Sequence, residues 1–178
     1  MEKHQYNILG ISGSLRAGSS ATAVLKQAAA LLPENTVFTL YEGTGRLPHF
    51  DDSETVPELV LQFRQLLAEA DGVLICTPEY AFGVPGTLKN ALDWTVGTGE
   101  FVNKPVALIT ASSVGKNAHS ALLLILSAIS ANIPESSSLL IPFIRARLDE
   151  QGMIKDPALL QSVQQLINSL MTVIAAAE

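Results

Sequence analysis

The sequence has one cysteine, Cys76, in 178 residues. No intramolecular disulfide can form, and a reducing compartment is the expected setting. Positive charge is scarce: 11 Lys and Arg against 17 Asp and Glu leave a net charge of −6. That balance excludes a nucleic-acid binder, which needs a basic footprint, and argues against docking on anionic lipid. Any phosphate ligand must therefore be held locally, by backbone amides and a few side chains. Long apolar runs are missing too. The longest covers residues 121–126, far short of the roughly 20 residues a membrane span needs. Residues 1–7 carry no apolar signal segment, so a cytoplasmic location is expected. His4, His49 and His119 are isolated and lack metal-ligand spacing, so no metal site is expected. The acidic run Asp51-Asp52-x-Glu54 reads as a solvated loop. No linker, repeat or low-complexity tract divides the chain, which predicts a single domain over 1–178.

What remains is the composition of a globular protein, 48% hydrophobic and 16% charged. Short β-rich runs alternate with longer helical ones. Strands are predicted over 6–11, 36–41, 72–77, 105–111 and 136–141. Helices are predicted over 20–32, 55–70, 86–96, 114–132 and 156–176. Thr55-Val56-Pro57-Glu58 has the form of a capping box, and Asp156-Pro157 that of an N-cap followed by proline at the first helical position. Residues 72–77 are almost unbroken apolar sequence, as a strand covered on both faces requires. Five strand–helix units predict an α/β fold, a flavodoxin-like, doubly wound five-stranded parallel sheet with helices on both faces. Ligands of such sheets sit beyond the carboxyl ends of the strands, which directs attention to the loops after the first, third and fourth strands.

The first of these loops is Ser12-Gly13-Ser14-Leu15-Arg16-Ala17-Gly18-Ser19-Ser20. Glycines allow close backbone approach, a helix start offers free N–H groups to an anion, the hydroxyls of Ser14, Ser19 and Ser20 can donate, and Arg16 can neutralise charge. An ordinary serine-capped turn is the alternative, outweighed by this density of donors. Gly13-x4-Gly18 approaches a Walker A loop, but Ser19 stands where its lysine belongs, so triphosphate hydrolysis is not expected. The G-x-G-x-x-G dinucleotide pattern is absent as well. A terminal monophosphate fits better than a pyrophosphate. A phosphoacceptor signalling domain of the same fold is excluded, because Ser12-Gly13-Ser14 and Thr77-Pro78 occupy the places of its acidic residues.

The third strand runs into Pro78-Glu79-Tyr80-Ala81-Phe82-Gly83-Val84-Pro85-Gly86. Two prolines and two glycines make a stiff loop, and its aromatics can form an apolar wall for a flat ring. A packed turn with Tyr80 and Phe82 in the core is the competing reading. Position after the third strand favours the site. Cys76 reads as a small buried hydrophobe, and Lys89 with Asp93 as a surface pair one turn apart. The helix carrying residues 122–126 is apolar all round, which points to a contact between copies of the chain, with a deep core helix as the alternative.

Gly13-Ser14-Leu15-Arg16-x-Gly18-Ser19, together with Pro78-Glu79-Tyr80 and Pro85-Gly86-x-Leu88-Lys89-Asn90-Ala91-Leu92-Asp93-Trp94, resembles the NADPH-dependent FMN reductase family, which includes chromate, quinone and azo reductases. Leu47-Pro48-x-Phe50-Asp51 is similar to the family's segment after its second strand. The resemblance implies FMN as cofactor and NAD(P)H as electron donor, with two electrons passing to a small acceptor: a quinone, an azo compound, a metal oxyanion or free flavin. It implies that Ser12, Ser14, Arg16, Ser19 and Ser20 hold the FMN phosphate. Pro78, Glu79, Tyr80, Ala81 and Phe82 would line the isoalloxazine, and Ser112, Ser113 and Gly115 would approach the pyrimidine edge. No protein residue is expected to act as a nucleophile or general acid, and a homodimer or homotetramer is implied. The chain departs from the family pattern at Ala21 and Ala81, where asparagine is usual, at Gly83, where serine is common, and in the third loop, Gly115-Lys116-Asn117-Ala118-His119, which often has a glycine pair. These departures bear on FMN affinity and acceptor preference rather than on fold.

Overall fold

The computed structural model describes residues 4–177. Its elements run β1 (Tyr6–Ser12), α1 (Ser20–Ala29), β2 (Thr36–Tyr41), α2 (Glu58–Glu69), β3 (Gly72–Thr77), α3 (Gly86–Asp93), β4 (Val106–Ala111), α4 (Lys116–Ala128), β5 (Ser138–Ile141), α5 (Ile144–Arg147) and α6 (Pro157–Ala175). The strands form one sheet in the order β2-β1-β3-β4-β5. Every pairing is parallel, with Gly10 opposite both Leu40 and Leu74. This is the flavodoxin-like order, and the chain reverses its direction of winding between β1 and β3.

Each face of the sheet has its own core. Phe63, Leu88 and Leu122, from α2, α3 and α4, pack on one side with Trp94, the residue that follows α3. Val24, Leu25, Val163 and Leu166, from α1 and α6, pack on the other. β3 and β4, at the middle of the sheet, are buried at every residue, whereas the edge strand β2 is only half-buried. The unbroken apolar sequence of 72–77 has that cause: neither face of the strand meets water. α6 is long and apolar enough to cross a bilayer by length and composition, yet Leu159, Val163, Leu166, Ile167, Leu170 and Ile174 are buried in this core. Its start follows the sequence. Asp156 Oδ1 accepts from Ala158 N at 3.0 Å and Leu159 N at 3.4 Å, with Pro157 at the first helical position.

The start of α2 does not follow the sequence. The Thr55–Glu58 capping box does not form; the helix begins at Glu58, and Pro57, in extended conformation, occupies the N-cap without a side-chain bond. A residue before proline is driven out of the α region, so Val56 cannot open a helix and Thr55 cannot cap one. α4 begins at Lys116 rather than at residue 114, because Gly115 at φ +86° breaks the helical path. The four residues of α5 are too few to show a helical period, and the sequence gives no sign of it.

Candidate functional site

β1 ends at Ser12, and the chain turns sharply over the end of β3. Gly13 N donates to Cys76 O at 2.9 Å. A Cβ at position 13 would collide with Thr77 Oγ1 and lie 2.7 Å from Thr77 Cβ, so glycine is required by close approach. Ser12 is turned inward: its Oγ lies 2.7 Å from Thr22 Oγ1 and accepts from Ser14 N at 3.2 Å. Ser14 Oγ lies 3.1 Å from Tyr80 OH, tying the first loop to the loop after β3.

A helix leaves four amides at its start without intrahelical acceptors. In α1, Ser19 N donates to Arg16 O at 3.1 Å, and Thr22 N donates to Ser19 Oγ at 3.4 Å. The amides of Ser20 and Ala21 have no acceptor among the described residues, and both residues border a cavity of about 420 Å³ that Arg16 and Ser19 also line. Two free amides, the positive end of a helix and a guanidinium therefore face one space, which is the arrangement that binds an oxyanion.

Across that space stand Pro78, Glu79 and Tyr80. Beyond them the loop folds into a two-residue hairpin. Tyr80 N donates to Gly83 O at 3.1 Å, and Gly83 N to Tyr80 O at 2.9 Å. Ala81 and Phe82 at its tip have φ of +48° and +59°. Positive φ at both central residues is the type I′ pattern, normally filled by Asn-Gly. Among the described residues six non-glycine positions have positive φ, and three of them, Ala81, Phe82 and Phe143, surround this site. Backbone strain of this kind concentrates at ligand sites. The aromatics are not core residues: Tyr80 is 51% and Phe82 78% exposed.

Glu79 points elsewhere than the sequence suggests. Its Oε2 accepts from Ala118 N at 2.8 Å and its Oε1 from Gly115 N at 3.3 Å. The carboxylate thus caps α4, while its own backbone N donates to Ser112 Oγ at 3.2 Å. One residue couples the loops after β3 and β4.

Of the residues expected at the site, Arg16, Ser19, Ser20, Pro78, Glu79, Tyr80, Ser112 and Ser113 border the cavity. Ser12, Ser14, Ala81, Phe82 and Gly115 do not; they shape the loops behind or beside it. The cavity also has walls that sequence reasoning missed: Ala21, Ala111 and the segment 143–146 after β5. Phe143 N donates to Ser113 O and Ile144 N to Ser112 O, both at 3.1 Å, which fastens that segment to the β4 loop. The available signal was its position after a strand's carboxyl end, with two arginines in an acidic chain.

Two groups lie behind the site. Burial pushes the Cys76 thiol far above its ordinary range, so it is inert at neutral pH. His119 Nδ1 lies 2.9 Å from Thr110 Oγ1, and burial holds its pKa below the ordinary value.

A 2-1-3-4-5 parallel sheet with a cavity at its carboxyl ends, between the first crossover and the loop after its third strand, defines a flavodoxin-like protein. The match is more specific than fold. Residues 6–145 match the family described as NADPH-dependent FMN reductase, and the chain belongs to that family. It is 39% identical over 110 residues to an NAD(P)H-dependent FMN reductase of Pseudomonas aeruginosa, covering 60% of each chain. It is 40% identical over 110 residues to a 2-hydroxy-1,4-benzoquinone reductase of a Burkholderia species, covering 59% of each. The matched region thus spans about three fifths of the length of these curated relatives. Among solved structures, the flavoenzyme NAD(P)H:(acceptor) oxidoreductase FerB of Paracoccus denitrificans superposes with a TM-score of 0.85 at 26% identity, over 96% of this chain and 98% of that one.

Proposed function

We propose that this chain is an NAD(P)H-dependent flavin reductase that holds FMN in the cavity described above and passes two electrons to a small acceptor. The observation that carries the reading is the pair of unused amides at Ser20 and Ala21, beside Arg16 and the hydroxyls of Ser19 and Ser20. This donor set fits a phosphate monoester. Pro78 and Tyr80 offer a stiff, apolar wall for a flat ring, and Ser112 and Ser113 supply polar groups at its far side. The carboxylate of Glu79 is hydrogen-bonded to the start of α4, whose positive end offsets part of its charge. The bound flavin would supply reversible hydride acceptance, for which no protein side chain has an equivalent.

The residues of this chain bind, orient and shield. Tyr80 OH against Ser14 Oγ sets the spacing between phosphate loop and ring wall, and Glu79 holds the two ring-side loops together. The relatives' names span FMN, a benzoquinone and, in a Bacillus species, an azo compound. Flat aromatic acceptors suit the exposed Tyr80 and Phe82 at the mouth. With one cavity at the carboxyl ends of the strands among the described residues, donor and acceptor take turns over the same face, which gives parallel lines in double-reciprocal plots. The exposed Leu124 on α4 supports pairing of copies through that helix, which sedimentation tests directly.

The visible spectrum of the protein with added FMN, before and after anaerobic NADPH, tests the reading. Bound flavin absorbance that bleaches rapidly supports it. Bound flavin that NADPH leaves oxidised reduces the chain to an electron carrier. No retained flavin refutes the proposal.

A further inference from the structure

Arg145 belongs to a part of the cavity wall that the phosphate cradle does not account for. It lies on α5, one residue before Ala146 and two before Arg147, and the two arginines have different fates. Arg147 Nη1 lies 2.9 Å from Asp156 Oδ2, and its carbonyl accepts from Lys155 N at 3.0 Å. It is tied to the start of α6. Arg145 makes no ion pair and no side-chain hydrogen bond among the described residues. Carboxylates are not in short supply, at 17 against 11 basic residues, so its freedom is a matter of placement. The placement is firm: two backbone bonds fasten residues 143 and 144 to the β4 loop, Ile144 is buried, and Leu148 bridges Ile154 just beyond.

On the same cavity stands Arg16, whose Nη2 has only the Gly18 carbonyl, at 3.4 Å. The acidic side chain on the wall, Glu79, is occupied by α4. The cavity therefore combines two guanidiniums and two free helix-start amides with no uncommitted carboxylate, inside a protein of net negative charge. A concave positive site of this kind concentrates and orients a small anion. Guanidinium is the group best matched to phosphate oxygens.

The geometry points to Arg145 as a second cationic contact of this site, recognising a phosphate monoester dianion from the side of the cavity fixed by β5. The inference rests on the flavin-reductase reading for the source of that phosphate. Two sources share the chemistry: the 5′-phosphate of FMN and the 2′-phosphate of NADPH.

The test compares wild type and Arg145→Ala in two paired measurements. FMN and riboflavin affinities are titrated by flavin fluorescence, and kcat/KM is measured with NADPH and with NADH. Loss of one charge-assisted contact is expected to weaken the phosphate-bearing member of one pair about tenfold and leave its partner within about twofold. Selective loss for FMN assigns Arg145 to the flavin, and selective loss for NADPH assigns it to the donor. Arg145→Lys, which keeps the charge, is expected to restore part of the loss. Equal changes within both pairs, or none, overturn the inference while leaving the flavin reading intact. Wild-type protein that binds neither flavin overturns both. The Arg145 side chain is exposed, so the unfolding transition of Arg145→Ala is expected to match wild type.

Discussion

Replacing Glu79 with alanine is expected to loosen the start of α4 from 36 residues away in sequence, and the size of the effect follows from two hydrogen bonds. The carboxylate is the acceptor for Gly115 N at 3.3 Å and Ala118 N at 2.8 Å, two of the amides that a helix start leaves unsatisfied. Loss of a capping oxygen typically costs about 1 kcal/mol. A negative charge at a helix N-terminus adds roughly 0.3–1 kcal/mol. Water can reach this half-buried position and recovers part of the loss. The balance for Glu79→Ala is about 1–1.5 kcal/mol, which lowers Tm by roughly 2–6 °C in a domain of this size. Glu79→Gln keeps one acceptor oxygen and loses the charge, so about half that cost is expected. Urea unfolding followed by fluorescence of the single tryptophan, Trp94, which is buried, measures both variants. An unchanged m-value would keep the comparison a matter of native-state stability. Glu79→Ala within about 0.5 kcal/mol of wild type, the range of ordinary surface substitutions, would show that solvent caps α4 as well as the carboxylate does. The coupling of the two loops through Glu79 would then have no energetic content.

Three further outcomes are expected. Ala81→Asn with Phe82→Gly places the preferred type I′ residues in a turn now held by side chains at positive φ, where L-residues cost about 1–2 kcal/mol each; stability in urea is expected to rise, while removal of the exposed Phe82 ring is expected to lower turnover with aromatic acceptors. Gly13→Ala drives a methyl into Thr77 and is expected to cost about 1–3 kcal/mol by overpacking, with a fall in FMN affinity as the first loop lifts, both readable by thermal melting and flavin titration. His119 has a pKa held below 6.5 by burial, so below that pH the unfolded chain takes up a proton that the folded chain resists. Stability is therefore full above pH 6.5 and declines as the pH falls through that value toward the depressed one; His119→Gln is expected to lose less stability than wild type between pH 7 and 5, measured as the change in urea midpoint.

Eight of the residues that border the cavity are legible in the sequence. Ser19, Ser20 and Arg16 are legible because helix-start chemistry is local: serine at the cap, glycine at the turn and an arginine nearby act through residues within one loop. Tyr80 and Phe82 were ambiguous, since composition does not distinguish a core aromatic from an exposed one. Their exposure follows from the hairpin that carries them out of the loop. Ser12 looks like its neighbouring serines in sequence, but it is the last residue of β1, and the alternation of the strand turns it toward Thr22. The capping role of the Glu79 carboxylate is not legible in the sequence, because its partners, Gly115 and Ala118, lie on another element and become neighbours only when β3 and β4 pair.

The sequence by itself determined the strand–helix alternation, the coverage of β3 on both faces and the helix-start chemistry of the first loop. Each of these rests on side-chain periodicity or on backbone chemistry within a few residues. The tertiary structure decided which loops share one cavity. Strand order is set by packing between distant segments, and it is that order, with α1 lying across the sheet, that brings the segment after β5 and its unpaired Arg145 to the same space as Arg16. It also decided that the Glu79 carboxylate caps α4 while the residue borders the cavity, because a carboxylate bonds to whichever donors the fold brings within about 3 Å.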